Sequence, residues 1–318
     1  MHGPTSIVRG ASFDLAQGGY RRARPRPSKD PGPVRSILRI STGSVLSSAI
    51  LLAMSERPLI LLSNDDGVHA RGLRALREAL ALIAHVVTVA PTDEQSAGSH
   101  SLTLSRPLRH RTIDEDVHAI DGTPADCIYV ALYRERFLPR WPDLVVSGIN
   151  HGFNLGTDTF YSGTVAAARE GALRGIPAIA FSLGGGGTFT EAAKVAVVLC
   201  ARMLDTPGIR DGDRGVLLNV NFPAATPYRG VRATRLGRRV YHDEVTVRTD
   251  PRGKEYYWIG GPGAHPHEHI EGSDTEAVDQ GLVSVTPLLL DATQPDDLGL
   301  AAWVANARLG EGQEDEGR

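Results

Sequence analysis

Five short apolar runs stand along the chain: LILLS (59–63), VVTVA (86–90), DLVVS (143–147), IPAIAFS (176–182) and VLLNVNF (216–222). A run that is apolar at nearly every position suits a strand covered on both faces, the condition of a parallel sheet. The sequence between the runs has helical character. Leu73, Leu76, Leu80 and Ile83 recur at helical spacing. Thr123 is placed to cap a helix with Pro124 in its first position, and Ser162 to cap an Ala-rich helix stopped by Gly175. TFTE (188–191) has the form of a capping box opening a further helix. Strand, helix and strand joined by short connections predict an α/β fold, a Rossmann-like doubly wound sheet that is mostly parallel.

The pattern holds over residues 56–222, the expected catalytic core, and then changes. Two β-rich runs flank TDPRGK (249–254), a hairpin signal, and GLVSVTPL (281–288) reads as a last strand. Residues 223–300 are therefore expected to form a hairpin and C-terminal segment. Such a hairpin is too small to stand alone and should pack on the core or on a partner subunit. Residues 301–318 end in an acidic tail. At the other end, RRARPRPSKDPGP (21–33) is basic and proline-rich and cannot build a packed core. Residues 1–55 read as a disordered or over-long N-terminal extension, with Met54 a plausible initiator. A signal peptide is the rival reading, but SVLSSAILLAM (44–54) lacks a convincing cleavage site.

Charge narrows the partners. Residues 1–55 carry eight Lys and Arg against two Asp, a balance of +6, so the remainder stands at −9 within a total of −3. An acidic body argues against a stable nucleic-acid partner and leaves room for a cation. No apolar run approaches the roughly 20 residues of a membrane span, so no membrane partner is expected. Cys127 and Cys200 lie far apart in apolar surroundings, as buried thiols of a reducing compartment do. A cytoplasmic location follows as the expectation.

Three polar loops follow expected parallel strands: NDDG (64–67), PTDEQSAGS (91–99) and GINHGFNLG (148–156). Ligands of open α/β sheets bind where such loops converge. Carboxylates from the first loop, a serine hydroxyl from the second and an asparagine carbonyl from the third are hard oxygen donors, suited to Mg²⁺, Mn²⁺ or Ca²⁺ rather than structural zinc. A dication would also offset the repulsion between adjacent Asp65 and Asp66. The plainer reading makes the doublet only a turn and helix cap. Ser162, Gly163 and Thr164 open a helix soon after the third loop, and a helix start suits phosphate, though an ordinary Ser cap has the same sequence. Cation and phosphate sites side by side point to hydrolysis of a phosphate ester.

The segments ILLSNDDGVHARGL, VVTVAPTDEQSAGSHSLTL, GTPADCIY, PDLVVSGINHGFNLGTDTFYSGTVAAAREGALRGIPAIAFS and AVDQGLVSVTPL together resemble the SurE family of metal-dependent nucleotidases, over residues 58–292. The resemblance implies a phosphomonoesterase that hydrolyses nucleoside 5′- and 3′-monophosphates to nucleoside and phosphate. It implies one divalent cation per subunit, Mg²⁺ or Mn²⁺, on Asp65, Asp66, Ser96 and Asn150. Asp65 and Asn154 become the catalytic candidates. Asn64, Asn154, Ser162, Gly163 and Thr164 fall on the phosphate side. A homodimer or homotetramer, exchanging hairpin and C-terminal segments, is implied as well. Two departures are visible: the glycine of QSAGSHS stands two places after Ser96, which leaves His100 less secure, and Leu282 stands where an aromatic is common.

The rival readings are a nucleotide-binding stress module without turnover and a phosphatase acting on short polyphosphate or another ester. The alternating His265, His267 and His269 read as a surface loop, and His69 as a local packing residue. The run Gly184–Gly187 reads as a flexible loop. Base preference, 5′ versus 3′ preference, the physiological metal and the oligomer count are not legible in the residues.

Overall fold

The structure, a computed structural model, describes residues 57–209, 215–240, 245–259 and 268–306, all within one compact unit, Ala49–Arg318. The expectations for residues 1–55, for His265 and His267, and for the acidic tail beyond residue 306 lie outside the described residues.

Eleven strands are described: β1 (Leu59–Ser63), β2 (His85–Pro91), β3 (His110–Asp114), β4 (Val117–Ile120), β5 (Leu144–His151), β6 (Ala178–Leu183), β7 (Leu217–Phe222), β8 (Val231–Ala233), β9 (Val245–Thr249), β10 (Glu255–Ile259) and β11 (Val283–Leu288). Six helices accompany them: α1 (Arg71–Leu80), α2 (Pro124–Tyr133), α3 (Gly163–Leu173), α4 (Phe189–Asp205), α5 (Asp274–Asp279) and α6 (Leu298–Ala305). Nine strands make one sheet in the order β3-β4-β2-β1-β5-β6-β7-β11-β8, and β9 with β10 forms a separate ribbon. The run from β4 to β7 across the sheet is parallel. Strand β11 returns antiparallel on β7 and carries β8 beside it. The expected doubly wound α/β fold is present, and part of the segment after residue 222 extends the main sheet.

The alternation of side chains along β1 explains the double winding. Ile60 and Leu62 face α1 and α4, packing with Leu73, Leu76, Ala192, Ala196 and Cys200. Leu59 and Leu61 face α2 and α3, packing with Ile128, Ala131, Val165 and Ala168. Each fully buried Leu or Ile stabilises the fold by roughly 1.5–3 kcal/mol of transfer free energy. With β2 on one side of β1 and β5 on the other, winding reverses at the β1/β5 boundary. The carboxyl ends of those two strands therefore open a crevice.

Local signals resolve unevenly. Ser162 caps α3 as expected, accepting the Val165 N–H. Thr123 caps α2 and forms a full capping box with Asp126. The box expected at TFTE does not form, because Thr188 makes no side-chain cap bond and Glu191 pairs with Lys194 at 2.7 Å. A charge-assisted bond one turn ahead outcompetes the reach back to the cap. The glycine run makes a defined turn, with the Gly184 N–H on Phe222 O and the Gly187 N–H on Gly184 O. Both cysteines are buried free thiols.

The β9–β10 ribbon pairs only with itself among the described residues. Tyr257, Trp258 and Ile259 on it are exposed, Ile259 at 93%. Helix α6 likewise exposes Leu298, Leu300, Trp303 and Val304, and it spans the boundary expected at residue 300. Among the described residues no helix is long and apolar enough to cross a membrane.

Candidate active site

The three polar loops meet at the carboxyl ends of β1, β2 and β5. The Gln95 N–H donates to Asp65 O at 2.8 Å and the Val68 N–H to Pro91 O at 2.8 Å, lacing the second loop to the first. The His151 N–H donates to Asp66 Oδ2 at 3.1 Å, bringing in the third. The turn itself depends on Gly67, whose φ of +95° lies where a side chain is strained.

Asp65 is buried, with 6% of its surface exposed. Its Oδ1 accepts the hydroxyl of Thr164, and its carboxylate also accepts the Thr164 backbone N–H. Helix α3 therefore begins on this carboxylate, and the dipole favours the negative charge placed there. Gly163 is the reason the approach is possible. A Cβ added to it would stand 2.8 Å from Asp65 Cβ and 3.0 Å from Oδ2. Burial nevertheless pushes the Asp65 carboxyl up to about 6, against the Thr164 hydrogen bond and with the charge of Asp66 adding. Burial also raises Asp66, opposed by the His151 N–H and reinforced by the charge of Glu94.

The remaining candidates are placed as follows. Asn150, half-buried at the end of β5, gives its amide N–H to Gly152 O at 3.0 Å and keeps a carbonyl oxygen as its acceptor end. Ser96 is exposed and donates to Glu94 Oε1 at 2.6 Å. Asn64 is buried, and its amide donates to Gly67 O at 3.0 Å, bracing the turn. Its Oδ1 has no partner. Asn154 is buried in a cluster of neutral polar groups. Its Nδ2 donates to Ser182 Oγ at 2.8 Å, and its N–H donates to Asn221 Oδ1 at 2.8 Å. The amides of Asn219 and Asn221 donate to Asn154 O. His69 is exposed in the turn before α1, and His269 is exposed too.

Two neighbours escaped the sequence. Glu94 adds a third acidic side chain beside Asp66, and His151 contributes first through its backbone N–H. Only the place of Glu94, two residues before Ser96, hinted at the first.

The donor set fits a hard dication. Two adjacent carboxylates are raised by burial, Asp65 further by the charge of Asp66 and Asp66 by that of Glu94, and neither is stabilised by a Lys or Arg among the described residues. A cation held by Asp65, Asp66, the Asn150 carbonyl and a swung Ser96 hydroxyl would satisfy both demands. Among the described residues no group of three or more His, Cys, Asp or Glu is placed to hold a metal ion, here or elsewhere, so a cation in this cleft would rest on two carboxylates and neutral oxygen donors.

The switch-point position, the oxygen donors and the helix start against them define a doubly wound α/β protein with an acidic cleft at its switch point. Comparison with known proteins makes this specific. The family model described as survival protein SurE matches residues 60–243. The 5′-nucleotidase SurE of Sorangium cellulosum is 56% identical over 257 residues, 80% of this chain and 98% of that protein. The 5′-nucleotidase SurE of Aeromonas hydrophila is 47% identical over 254 residues, 77% of this chain and 98% of that protein. The crystal structure of the SurE protein from Aquifex aeolicus superposes with a TM-score of 0.67 at 43% identity, covering 78% of this chain and 100% of that one. The chain belongs to the SurE family.

Proposed function

We propose that this chain is a 5′-nucleotidase, a phosphoric monoester hydrolase that releases phosphate from nucleoside 5′-monophosphates, and from the 3′ esters as well, with one Mg²⁺ or Mn²⁺ per subunit. The observation that carries the reading is the contact of Gly163 and Thr164 with Asp65, which sets a helix start against the buried member of a carboxylate doublet. Relatives that bear the name 5′-nucleotidase SurE are matched over nearly their whole length, which supports the activity.

When bound, the dication supplies Lewis-acid stabilisation for charge that develops on the phosphoryl oxygens. The chain supplies the rest. Asp65 and Asp66 hold the negative side of the site, and the Thr164 hydroxyl fixes the orientation of Asp65. Asn150 and Ser96 complete the oxygen donors. The start of α3, at Ser162 and Gly163, presents the positive end of a helix dipole to an anion. Asn154 and Asn64 are the amide donors for phosphoryl oxygens. Asn154 is suited to this because its backbone is fixed on both sides by Asn219 and Asn221, so orienting it for the transition state costs little further entropy.

The exposed apolar ribbon β9–β10 and helix α6 support assembly into a homodimer or homotetramer, since exposed surfaces of this kind mark protein contacts. The test is phosphate release from a panel of nucleoside monophosphates, sugar phosphates and short polyphosphate, with Mn²⁺ or with chelator. Turnover of nucleoside monophosphates that chelator abolishes is expected. Stoichiometric nucleotide binding without phosphate release, or preference for polyphosphate, overturns the assignment.

A further inference from the structure

The Ser96 loop is held at two ends, and only one hold belongs to the site described above. In front, the Gln95 N–H bonds Asp65 O. Behind, the Ser99 N–H bonds Tyr161 O at 3.0 Å, the Ser99 hydroxyl bonds Phe160 O at 2.7 Å, and His100 Nε2 meets Glu170 Oε2 at 2.9 Å. Ala97, between the holds, and Ser99, which makes two of them, take φ of 56° and 51°. Non-glycine residues in that region cost free energy and persist only where their surroundings hold them.

Glu170 is the unusual member. It lies on α3, the helix whose first turn touches Asp65, and only 2% of its surface is exposed. A carboxylate so buried needs partners. Its second oxygen accepts Nε and Nη2 of Arg174 at 3.0 and 2.7 Å. The Arg174 guanidinium lies over the rings of Tyr129 and Tyr133 on α2, at 5.3 and 5.7 Å. Burial works against the charged carboxylate, yet the hydrogen bonds from His100 and Arg174 hold it below the usual range. Glu170 is thus a charged anchor, fixed by Arg174, with one oxygen turned to the loop.

We propose that His100 is a positioning residue: through Glu170, locked by Arg174, it holds the strained Ser96 loop against the same helix that orients Asp65, and so presets the cation site. His100 touches neither the carboxylate pair nor, on this account, the substrate. The inference rests on the proposed function insofar as Ser96 is taken as a cation ligand.

The test uses the full chain, with Mn²⁺ as probe. Binding is read by loss of the free-ion electron paramagnetic resonance signal, and turnover by phosphate release. His100→Ala is expected to raise the Mn²⁺ dissociation constant about tenfold. Turnover at saturating Mn²⁺ should stay within about threefold of the parent chain, since the anchor is not in the reaction. His100→Gln, which keeps an N–H donor, should restore most of the affinity. Glu170→Gln should weaken Mn²⁺ in the same direction. The double variant should be no worse than the worse single one, because the pair acts as a unit. Unchanged Mn²⁺ affinity in His100→Ala overturns the inference, as does strict additivity in the double variant. If His100→Ala does not fold, failure of the folded His100→Gln to bind Mn²⁺ better than the folded Glu170→Gln overturns it. A parent chain that binds Mn²⁺ but releases no phosphate sinks the nucleotidase reading and leaves this one standing.

Discussion

The Thr164 side chain and backbone both bond the carboxylate of Asp65, a residue 99 positions earlier in the chain. One threonine thus orients the buried carboxylate of the acidic doublet and starts a helix. The charge of Asp65 is favoured by the helix dipole and disfavoured by burial and by Asp66, a conflict that a bound dication would resolve.

Asp65→Asn and Asp66→Asn are expected to lower phosphate release by at least about a hundredfold at saturating Mn²⁺, because each removes charge that the transition state needs. In chelator neither should melt earlier than the parent chain, since each relieves the repulsion between buried Asp65 and half-buried Asp66. The parent should gain about 2.7 kcal/mol when Mn²⁺ stands at a hundred times its dissociation constant, and the variants should lose that gain. Thermal melting with and without Mn²⁺ checks both statements.

The pH dependence follows from Asp65, raised from 3.8 to about 6. A carboxyl with a raised folded pKa keeps a proton that the unfolded chain has released. In chelator, stability should therefore fall as pH rises from about 4 to about 6 and stay lowered above, by roughly 3 kcal/mol from this group. Cation binding must displace that proton. Mn²⁺ affinity should fall about tenfold per pH unit below about 6 and level off above it. Calorimetric titration across this window measures it, and a flat affinity would contradict the assignment.

Gly163→Ala forces a Cβ to within 2.8 Å of Asp65 Cβ. Alanine is a good helix former, so intrinsic propensity predicts a gain. The clash should instead cost about 1–3 kcal/mol and lower turnover more than tenfold through displacement of the carboxylate. Melting and steady-state kinetics on the one variant separate the two effects.

Replacing Tyr257, Trp258 and Ile259 together with Ser or Lys should shift the chain toward monomer in light scattering. These side chains are exposed on a ribbon that packs on no described strand. The melting of the core should be little changed, because they add nothing to either core layer.

The central strands were legible because burial on both faces leaves an uninterrupted apolar run, as in LILLS and IPAIAFS. The β9–β10 hairpin was legible from its turn. Strands β3 and β4 were not. HRTID is exposed throughout and lies at the sheet edge, so no hydrophobic period marks it. Its register with β4 also shifts between Thr112 and Asp114. Within the site, convergence of the three loops followed from strand order. The approach of Glu94 to Asp66 and the use of the His151 backbone did not, because both depend on loop dihedrals. Of the three capping signals, Thr123 and Ser162 were answered and Thr188 was not, since Lys194 claims Glu191.

The grip of Asn219 and Asn221 on Asn154 has a consequence in time. Those two amides arrive 65 and 67 residues after the loop they hold. A growing polypeptide that already contains both aspartates, the β5 loop and the first turn of α3 still lacks the clasp that fixes Asn154. Full competence must await insertion of β7, a strand made after every residue proposed to hold the cation.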